Sequence, residues 1–151
     1  MSVKFHLTIT TPERVVYQDE IESITLPTVD GEITVLANHM PLVTVLKAGE
    51  MVIRKGEDIR PYAIGGGFVE VDGQKLTVLA DTAEHVEEID EQRAAEAKDR
   101  AEALKSEQHH DSEEYASIVG KLERDLNRLN IVRKYRHRGH QGIPYEGTRK
   151  E

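Results

Sequence analysis

The spacing of apolar residues changes once along this chain, at residues 87–94. Before this junction, apolar and polar residues alternate and glycine recurs every few positions. After it, apolar residues recur every three or four positions among Ala, Glu, Lys and Arg. A period of two is that of a half-buried strand, whereas a period of three to four is that of an amphipathic helix. The sequence therefore predicts a sheet module followed by a helical module.

The first 86 residues read as many short strands separated by turn residues. Asp30-Gly31 and Asp72-Gly73 are hairpin turn signals, because glycine tolerates positive φ. Pro27 and Gly49 are expected to end strands, since proline cannot donate to a strand ladder. Strands at this spacing are typical of an antiparallel sandwich or barrel. We predict an α+β fold whose residues 1–86 form an antiparallel β-sandwich of about ten strands.

Residues 87–138 are predicted to form a two-helix antiparallel hairpin. The first helix is expected to begin at Asp90, whose carboxylate can accept from free backbone amides. Asp111 and Glu114 have the spacing of a capping box at the start of the second helix. The first helix carries a narrow stripe of mostly small residues: Ala94, Ala97, Ala101 and Leu104. The second helix carries a larger apolar face: Tyr115, Ile118, Leu122, Leu126, Leu129 and Val132.

A hairpin with two such thin stripes is marginally stable alone. It must dock against the sheet module or against another protein. Two docking surfaces of similar free energy would make the hairpin a switch, which we treat as a hypothesis. The Gly-rich polar residues 139–151 are predicted to be a disordered tail.

Composition excludes several classes of function. The formal net charge is −8, which disfavours general binding to nucleic acid or to an anionic membrane. The charge is uneven: residues 81–114 hold 4 basic and 13 acidic side chains, and residues 121–140 hold 7 and 2. Cysteine is absent, so neither disulfides nor thiolate metal sites are possible. No apolar run is long enough to span a bilayer, so direct membrane insertion is not expected.

Nothing in the sequence predicts a catalytic centre. The glycine run 65–67 precedes a strand and lacks the Lys-Ser/Thr of a phosphate loop, so it is interpreted as backbone geometry at a strand start. Asp30 and Glu32 flank an exposed turn. His39 has no second ligand at metal spacing, and His109-His110 point apart. We therefore predict no catalytic and no metal-binding residue, and His39, a loop residue, is assigned to partner contact.

Several sequence blocks resemble the epsilon-subunit family of the proton-translocating ATP synthase. They are residues 26–33 (LPTVDGEI), 36–42 (LANHMPL), 46–49 (LKAG), 63–71 (AIGGGFVEV) and 76–81 (LTVLAD). Their order and spacing match that family over roughly residues 1–135.

The resemblance implies an accessory subunit of the central stalk, or rotor, that is not an enzyme on its own. Such a subunit couples proton flow to ATP synthesis. Its sandwich grips the gamma subunit and the membrane c-ring. Its hairpin either folds down on the sandwich or extends into the catalytic head of alpha and beta subunits, where it blocks ATP hydrolysis. The implied location is peripheral, on the cytoplasmic face of a bacterial cell membrane.

The basic stretch of the second helix would meet an acidic segment of a beta subunit in the extended state. Besides Arg124 and Arg128, we assign four of its residues to this contact: Lys121, Arg133, Lys134 and Arg136. Steering of the contact by charge would weaken with salt.

Residues 89–94 (IDEQRA) resemble the Ile/Leu-Asp-x-x-Arg-Ala motif that marks ATP-binding members of that family. The resemblance assigns six residues to a regulatory ATP site: Glu84, Asp90, Arg93, Arg100, Arg124 and Arg128. Arginines seven or four residues apart share a helix face, and converging guanidiniums suit a triphosphate. The two carboxylates would accept from the adenine amino group or the ribose. ATP, with or without Mg, is thus an expected regulator that holds the hairpin compact, and no cofactor is required.

Two alternatives stay open at this stage. The arginines can equally be salt-bridge partners on solvated helix faces, which would leave a stalk subunit with a purely structural coupling role. The chain can also be a non-enzymatic adapter, whose basic helix would bind nucleic acid or another scaffold. A stand-alone enzyme has no support, because no nucleophile–base pair, metal set or phosphate loop is present.

Overall fold

The computed structural model of the protein describes residues 2–107 and 110–139, and the side chains among them up to Arg136. Of the tail predicted over residues 139–151, Gly139 is described as the last residue of a helix. Residues 140–151, and His109 of the predicted interhelical loop, lie outside the described residues.

In the described part of the chain, eight strands form one sheet that closes into a sandwich. The strands are β1 Phe5–Thr10, β2 Val15–Ile21, β3 Ser23–Thr28, β4 Gly31–Leu36, β5 Leu42–Lys55, β6 Asp58–Asp72, β7 Lys75–Ala80 and β8 Ala83–His85. Their order is β2-β1-β7-β6-β5-β3-β4, and β8 pairs with β6. The pairing of β1 with β7 is parallel, which strand periodicity does not reveal because parallel and antiparallel strands share a period of two.

One cluster of mainly aliphatic side chains fills the sandwich. Its innermost members have no exposed surface: Leu7, Ile9, Ile21, Ile24, Leu26, Met51, Ile53, Val69, Leu76 and Val78. They come from alternate positions of their strands, so the period of two in the sequence is the pattern that builds the core. The sandwich and the two helices that follow it confirm the predicted fold class.

Strands β5 and β6 are longer than predicted, at 14 and 15 residues. The expected strand ends at Pro27 and Gly49 are wrong. Pro27 lies within β3 at a register shift between β3 and β5, where no N–H is required of it. A Cβ on Gly49 would lie 2.6 Å from Pro27 Cβ, so this glycine lets the two strands approach closely rather than ending one. The short strands expected on either side of Gly49 merge into β5, those on either side of the glycine run 65–67 merge into β6, and the count falls from about ten.

Two helices follow a short 3₁₀ turn, Val86–Glu88. Helix α1 spans Glu91–Glu107, and Asp90 Oδ1 accepts from Arg93 N at 3.0 Å, which confirms the predicted cap. Helix α2 spans Glu113–Gly139. Its cap is Ser112, whose Oγ accepts from Tyr115 N at 3.0 Å. The predicted Asp111–Glu114 box is wrong by one residue, because the hydroxyl next to the first helical residue takes the capping position.

The stripe of α1 is buried only over its first part. Ala94 and Ala101 are 0% and 2% exposed, whereas Leu104 is 45% exposed. The close helix contact therefore ends before the last turn of α1. In α2, Leu122, Leu129 and Val132 are buried as predicted.

The glycine run 65–67 lies inside strand β6 rather than at its start. Gly66 and Gly67 have φ of +111° and +131°, a region that residues with a Cβ rarely adopt. A Cβ on Gly67 would lie 2.0 Å from Leu79 O and 2.8 Å from Ala80 Cα. The neighbouring backbone cannot move away without breaking the pairing of β6 with β7, so Gly67 has a structural role.

We expect Gly67→Ala to lower the free energy of unfolding by about 2–4 kcal/mol, through combined backbone strain and overpacking. Gly120→Ala is the matched control, because Gly120 lies within α2 and a Cβ added there would meet nothing within 4 Å. That change should stabilise the chain by about 0.5–1 kcal/mol. Urea unfolding of both variants measures the two effects, and equal effects of one sign would contradict this role for Gly67.

Candidate functional site

Helix α2 lies against the middle of strands β5 and β6. Asn127 Nδ2 donates to Gly49 O at 3.1 Å and to Ile64 O at 3.4 Å. The Arg124 side chain passes over Gly65, where a Cβ would lie 2.9 Å from Arg124 Cδ. At these positions, side chains of α2 therefore pack directly on the backbone of β5 and β6.

Ion pairs surround this contact. Lys134 Nζ pairs with Glu50 Oε2 at 2.6 Å, and the Tyr135 hydroxyl donates to the other oxygen of Glu50. Arg133 pairs with Glu91 at 3.4 Å, and Arg136 pairs with the same carboxylate. These cations are largely solvent-exposed, and such pairs contribute about 0–1 kcal/mol each.

The helix cations assigned to partner contact thus form ion pairs in two directions. Lys134 pairs with the sheet, while Arg133 and Arg136 pair with the first residue of α1. Lys121 is exposed, and no ion pair engages it within residues 2–107 and 110–139. Three of the four helix cations are therefore already paired inside the chain.

The apolar contact between hairpin and sandwich is a second cluster, separate from the sandwich core. Its members are Ala63, Val86, Ile89, Ala94, Leu129, Ile131 and Val132. Ala63 is its one contribution from the main strands; Val86 and Ile89 belong to the linker. We call this group the hinge cluster. It gives the hairpin a small apolar support that is distinct from the core formed by residues of β1 to β8.

His85 is the N-cap of the 3₁₀ turn Val86–Glu88. Its Nδ1 accepts from Glu87 N at 3.2 Å, and its ring stands edge-on to Tyr62 with centroids 5.1 Å apart. Burial lowers the pKa of His85, although Glu87 and Glu88 act in the opposite direction. Burial also raises the pKa of Tyr62 to about 12. Because Nδ1 accepts this hydrogen bond, it carries no proton, and the neutral imidazole caps the linker turn.

Four of the six residues assigned to a nucleotide form two ion pairs. Arg128 Nε pairs with Glu84 Oε2 at 3.0 Å, and its Nη1 lies 3.4 Å from Asp125 Oδ1. Asp90 caps α1 and pairs loosely with Arg93 at 3.9 Å. The Arg93 side chain is 85% exposed. In the described ranges, no ion pair joins Arg93 or Arg100 to α2.

The structure therefore brings together Glu84 with Arg128 and Asp90 with Arg93. Two carboxylates flank Arg128, so its charge is already balanced within the chain. Arg93 and Arg100 are exposed, and neither is paired with two carboxylates in the part of the chain that the structure describes. The residues 2–107 and 110–139 also contain no group of His and acidic side chains that could hold a metal ion.

His39 lies on the loop between β4 and β5. Its Nδ1 donates to Met40 O at 2.7 Å, which fixes the loop conformation. The side chains on either side are apolar and exposed: Leu36 is 60% exposed and Met40 is 73% exposed. An apolar loop tip held by a local hydrogen bond is suited to contact with another protein.

A row of exposed apolar side chains crosses the outer face of the sheet. Val29 N donates to Val45 O at 3.1 Å, Val45 is paired with Phe68, and Phe68 is paired with Leu79. The exposed fractions are 56% for Val29, 41% for Val45, 55% for Phe68 and 53% for Leu79. We call them the outer stripe. Side chains on neighbouring strands at the same register stand side by side, so the stripe is one continuous surface.

Sequence reasoning missed the outer stripe, Asn127 and Glu50. The stripe had a signal, because residues 42–46 and 76–79 are nearly continuous apolar runs, which indicate strands with two apolar faces. Asn127 and Glu50 gave none, since each acts through a contact across the fold.

Helices in the described part of the chain are too short or too polar to cross a membrane.

Comparison with known proteins gives two family matches. Residues 4–86 match the model for the beta-sandwich domain of the ATP synthase delta/epsilon chain. Residues 87–133 match the model for its long alpha-helix domain.

Curated relatives cover most of the chain. An ATP synthase epsilon chain of Caldicellulosiruptor bescii is 44% identical over 85% of this chain and 93% of its own length. One of Chloroflexus aggregans is 40% identical over 87% of this chain and 94% of its own length. Among solved structures, a chain of the Euglena gracilis mitochondrial ATP synthase (OSCP/F1/c-ring, rotational state 1) aligns with a TM-score of 0.70 and 25% identity. That alignment covers 89% of this chain and 83% of that one. The protein therefore belongs to the delta/epsilon chain family of ATP synthase.

Proposed function

We propose that this chain is a rotor subunit whose sandwich stays fixed to the central stalk while its hairpin moves between two docking sites. As an epsilon chain of ATP synthase, it is an accessory subunit rather than a catalytic one. In the compact arrangement the subunit couples proton flow to ATP synthesis. In the extended arrangement the hairpin enters the catalytic head and inhibits ATP hydrolysis. The observation that carries this proposal is the separation of the hinge cluster from the sandwich core.

The size of the hinge cluster supports a reversible contact. Full burial of one aliphatic side chain is worth about 1.5–3 kcal/mol. Leu129, Ile131 and Val132 are buried on α2, but part of that burial is against α1 and persists when the hairpin moves as a unit. Reversing a 1:99 population takes about 5.5 kcal/mol, which a competing surface of similar size can supply.

The sandwich carries two surfaces suited to fixed partners. We assign the outer stripe to the gamma subunit, because a continuous apolar row on a rigid sheet suits a permanent interface. We assign the loop of His39 and Met40 to the c-ring, since it is a separate apolar tip. The subunit would then be peripheral to the membrane, on its cytoplasmic face, and held there by these partners.

The helix cations support an exchange of partners. In the compact state Glu50 and Glu91 hold Lys134, Arg133 and Arg136. When the hairpin extends, an acidic segment of a beta subunit, flanked by an alpha subunit, replaces Glu50 at Lys134, while Glu91 of α1 stays with Arg133 and Arg136. Lys121 joins the same basic face. Because both states pair the same cations, the exchange has a small net electrostatic cost.

ATP is proposed as the ligand that favours the compact state, with its phosphates at Arg93 and Arg100 and its nucleoside near Glu84 and Asp90. The exposed α1 arginines support this orientation. Arg128 is paired with two carboxylates, so it cannot bind phosphate without local rearrangement. That pairing favours a second candidate function: a coupling subunit whose hairpin is governed by partners alone, without ATP.

Removal of the hairpin tests the inhibitory role. We expect truncation after Glu88 to raise the ATP hydrolysis rate of the reconstituted head, because the inhibitory element is gone. The full chain in the same preparation is the control, and binding of the truncated chain to the head is checked by co-purification. Equal rates with bound, truncated chain would contradict inhibition and leave the coupling role.

Thermal unfolding tests the nucleotide. At about ten times its dissociation constant, ATP should stabilise the compact chain by about 1.4 kcal/mol, a rise in Tm of about 3–5 °C. Arg93→Ala should abolish this rise. Arg54→Ala is the control, since Arg54 is an exposed arginine of β5 outside the hairpin. An unchanged Tm at millimolar ATP would favour the coupling subunit without ATP.

Charge placed on the outer stripe tests the rotor contact. Phe68→Glu should weaken binding of the chain to a gamma-containing head by about tenfold or more, since it puts a carboxylate into an apolar interface. Val15→Glu is the control, because Val15 is equally exposed, at 55%, on strand β2 outside the stripe. Equal affinities of the two variants would place the gamma contact elsewhere.

A further inference from the structure

Asp125 is a buried carboxylate at a position where the helix pattern expects an apolar residue. It follows Leu122 by three residues and precedes Leu129 by four, so the three share one side of α2. All three are buried, and Asp125 is 6% exposed. An acidic side chain is therefore held on the face through which α2 packs.

The surroundings of Asp125 satisfy only one of its two oxygens. Oδ1 lies 3.4 Å from Arg128 Nη1, a long contact, while Arg128 makes its shorter one, at 3.0 Å, with Glu84. Oδ2 is sealed from solvent and has no hydrogen-bond donor in the part of the chain that the structure describes. A buried acceptor without a donor destabilises the state that buries it, and more so when it is charged.

We propose that Asp125 is a built-in destabiliser of the compact hairpin. Its cost exists only while α2 is packed, because separation of the helices or undocking of α2 lets water reach Oδ2. The apolar contacts of Leu122 and Leu129 favour packing, and Asp125 offsets part of their gain. The residue thereby keeps the docked state weak enough to be released. This inference rests on the proposed function in one respect, namely that release of the hairpin is useful.

A direct role in ligand binding is less consistent with the geometry. A ligand that bonded to Oδ2 would have to reach an atom that water does not reach. It could do so only after the helices separate, which is the motion that the carboxylate promotes. Asp125 therefore acts on the conformational equilibrium.

Hydrogen exchange of the full-length chain tests the proposal, because amide exchange in α2 reports how often the hairpin opens. Asp125→Asn keeps the shape of the side chain and removes its charge. We expect exchange in residues 115–132 to slow by about fivefold or more. Asp125→Leu, which completes the apolar face, should slow it further. Buried amides of β5 and β6 should exchange at the rate of the unmodified chain in both variants.

Asp99→Asn is the matched control, since it is the same chemical change at an exposed position of α1. It should leave exchange in α2 unchanged. If Asp125→Asn leaves exchange unchanged or speeds it, the carboxylate is neutral or stabilising and the proposal is overturned. The same conclusion follows if Asp99→Asn slows exchange as much, because general charge would then be the cause.

The exchange experiment uses the isolated chain, so its outcome is independent of the inhibition assay. Slower exchange together with unchanged hydrolysis on truncation would retain the destabiliser and reject the inhibitory role. Unchanged exchange together with faster hydrolysis on truncation would do the reverse.

Discussion

The contact of α2 with the bare backbone of β5 and β6 determines how the two halves of this protein behave. Asn127 reaches Gly49 O and Ile64 O, and Arg124 crosses Gly65, because no side chain of the sheet intervenes. The contact is therefore specific in position but small in apolar area. A larger apolar contact between α2 and the sheet would have joined the hinge cluster to the sandwich core and attached the hairpin more firmly. The polar contact instead leaves the hinge cluster separate from the sandwich core.

Much of the fold was predictable, because the change of apolar period is a local property of the sequence. The two helices and the Asp90 cap followed from residues a few positions apart. The long strands did not, since the same glycine that suggests a break at position 49 is required by Pro27, which lies far along the chain and close in space. The cap of α2 was displaced by one residue, because Ser112 and Asp111 are both good capping residues and only the backbone conformation decides between them.

The candidate site was less predictable for a physical reason. Spacing along the sequence predicts which arginines of the assigned nucleotide site share a face of one helix. The distances between arginines on different helices depend on tertiary packing. Asp125 was not singled out by its type, yet together with Glu84 it decides what Arg128 can bind. Pairs such as Lys134 with Glu50 join residues more than eighty positions apart, and a single sequence contains no signal for them.

The long ladder between β5 and β6 has a mechanical consequence. At about 3.3 Å per residue, strands of this length run for roughly 45 Å, and their cross-strand bonds share any shearing force along that distance. The sandwich should then transmit torque as one stiff body, with little twist lost inside it. Deformation would concentrate in the few linker residues 86–90. In the proposed rotor role, the hairpin could then pivot without altering the contact of the sandwich with the stalk.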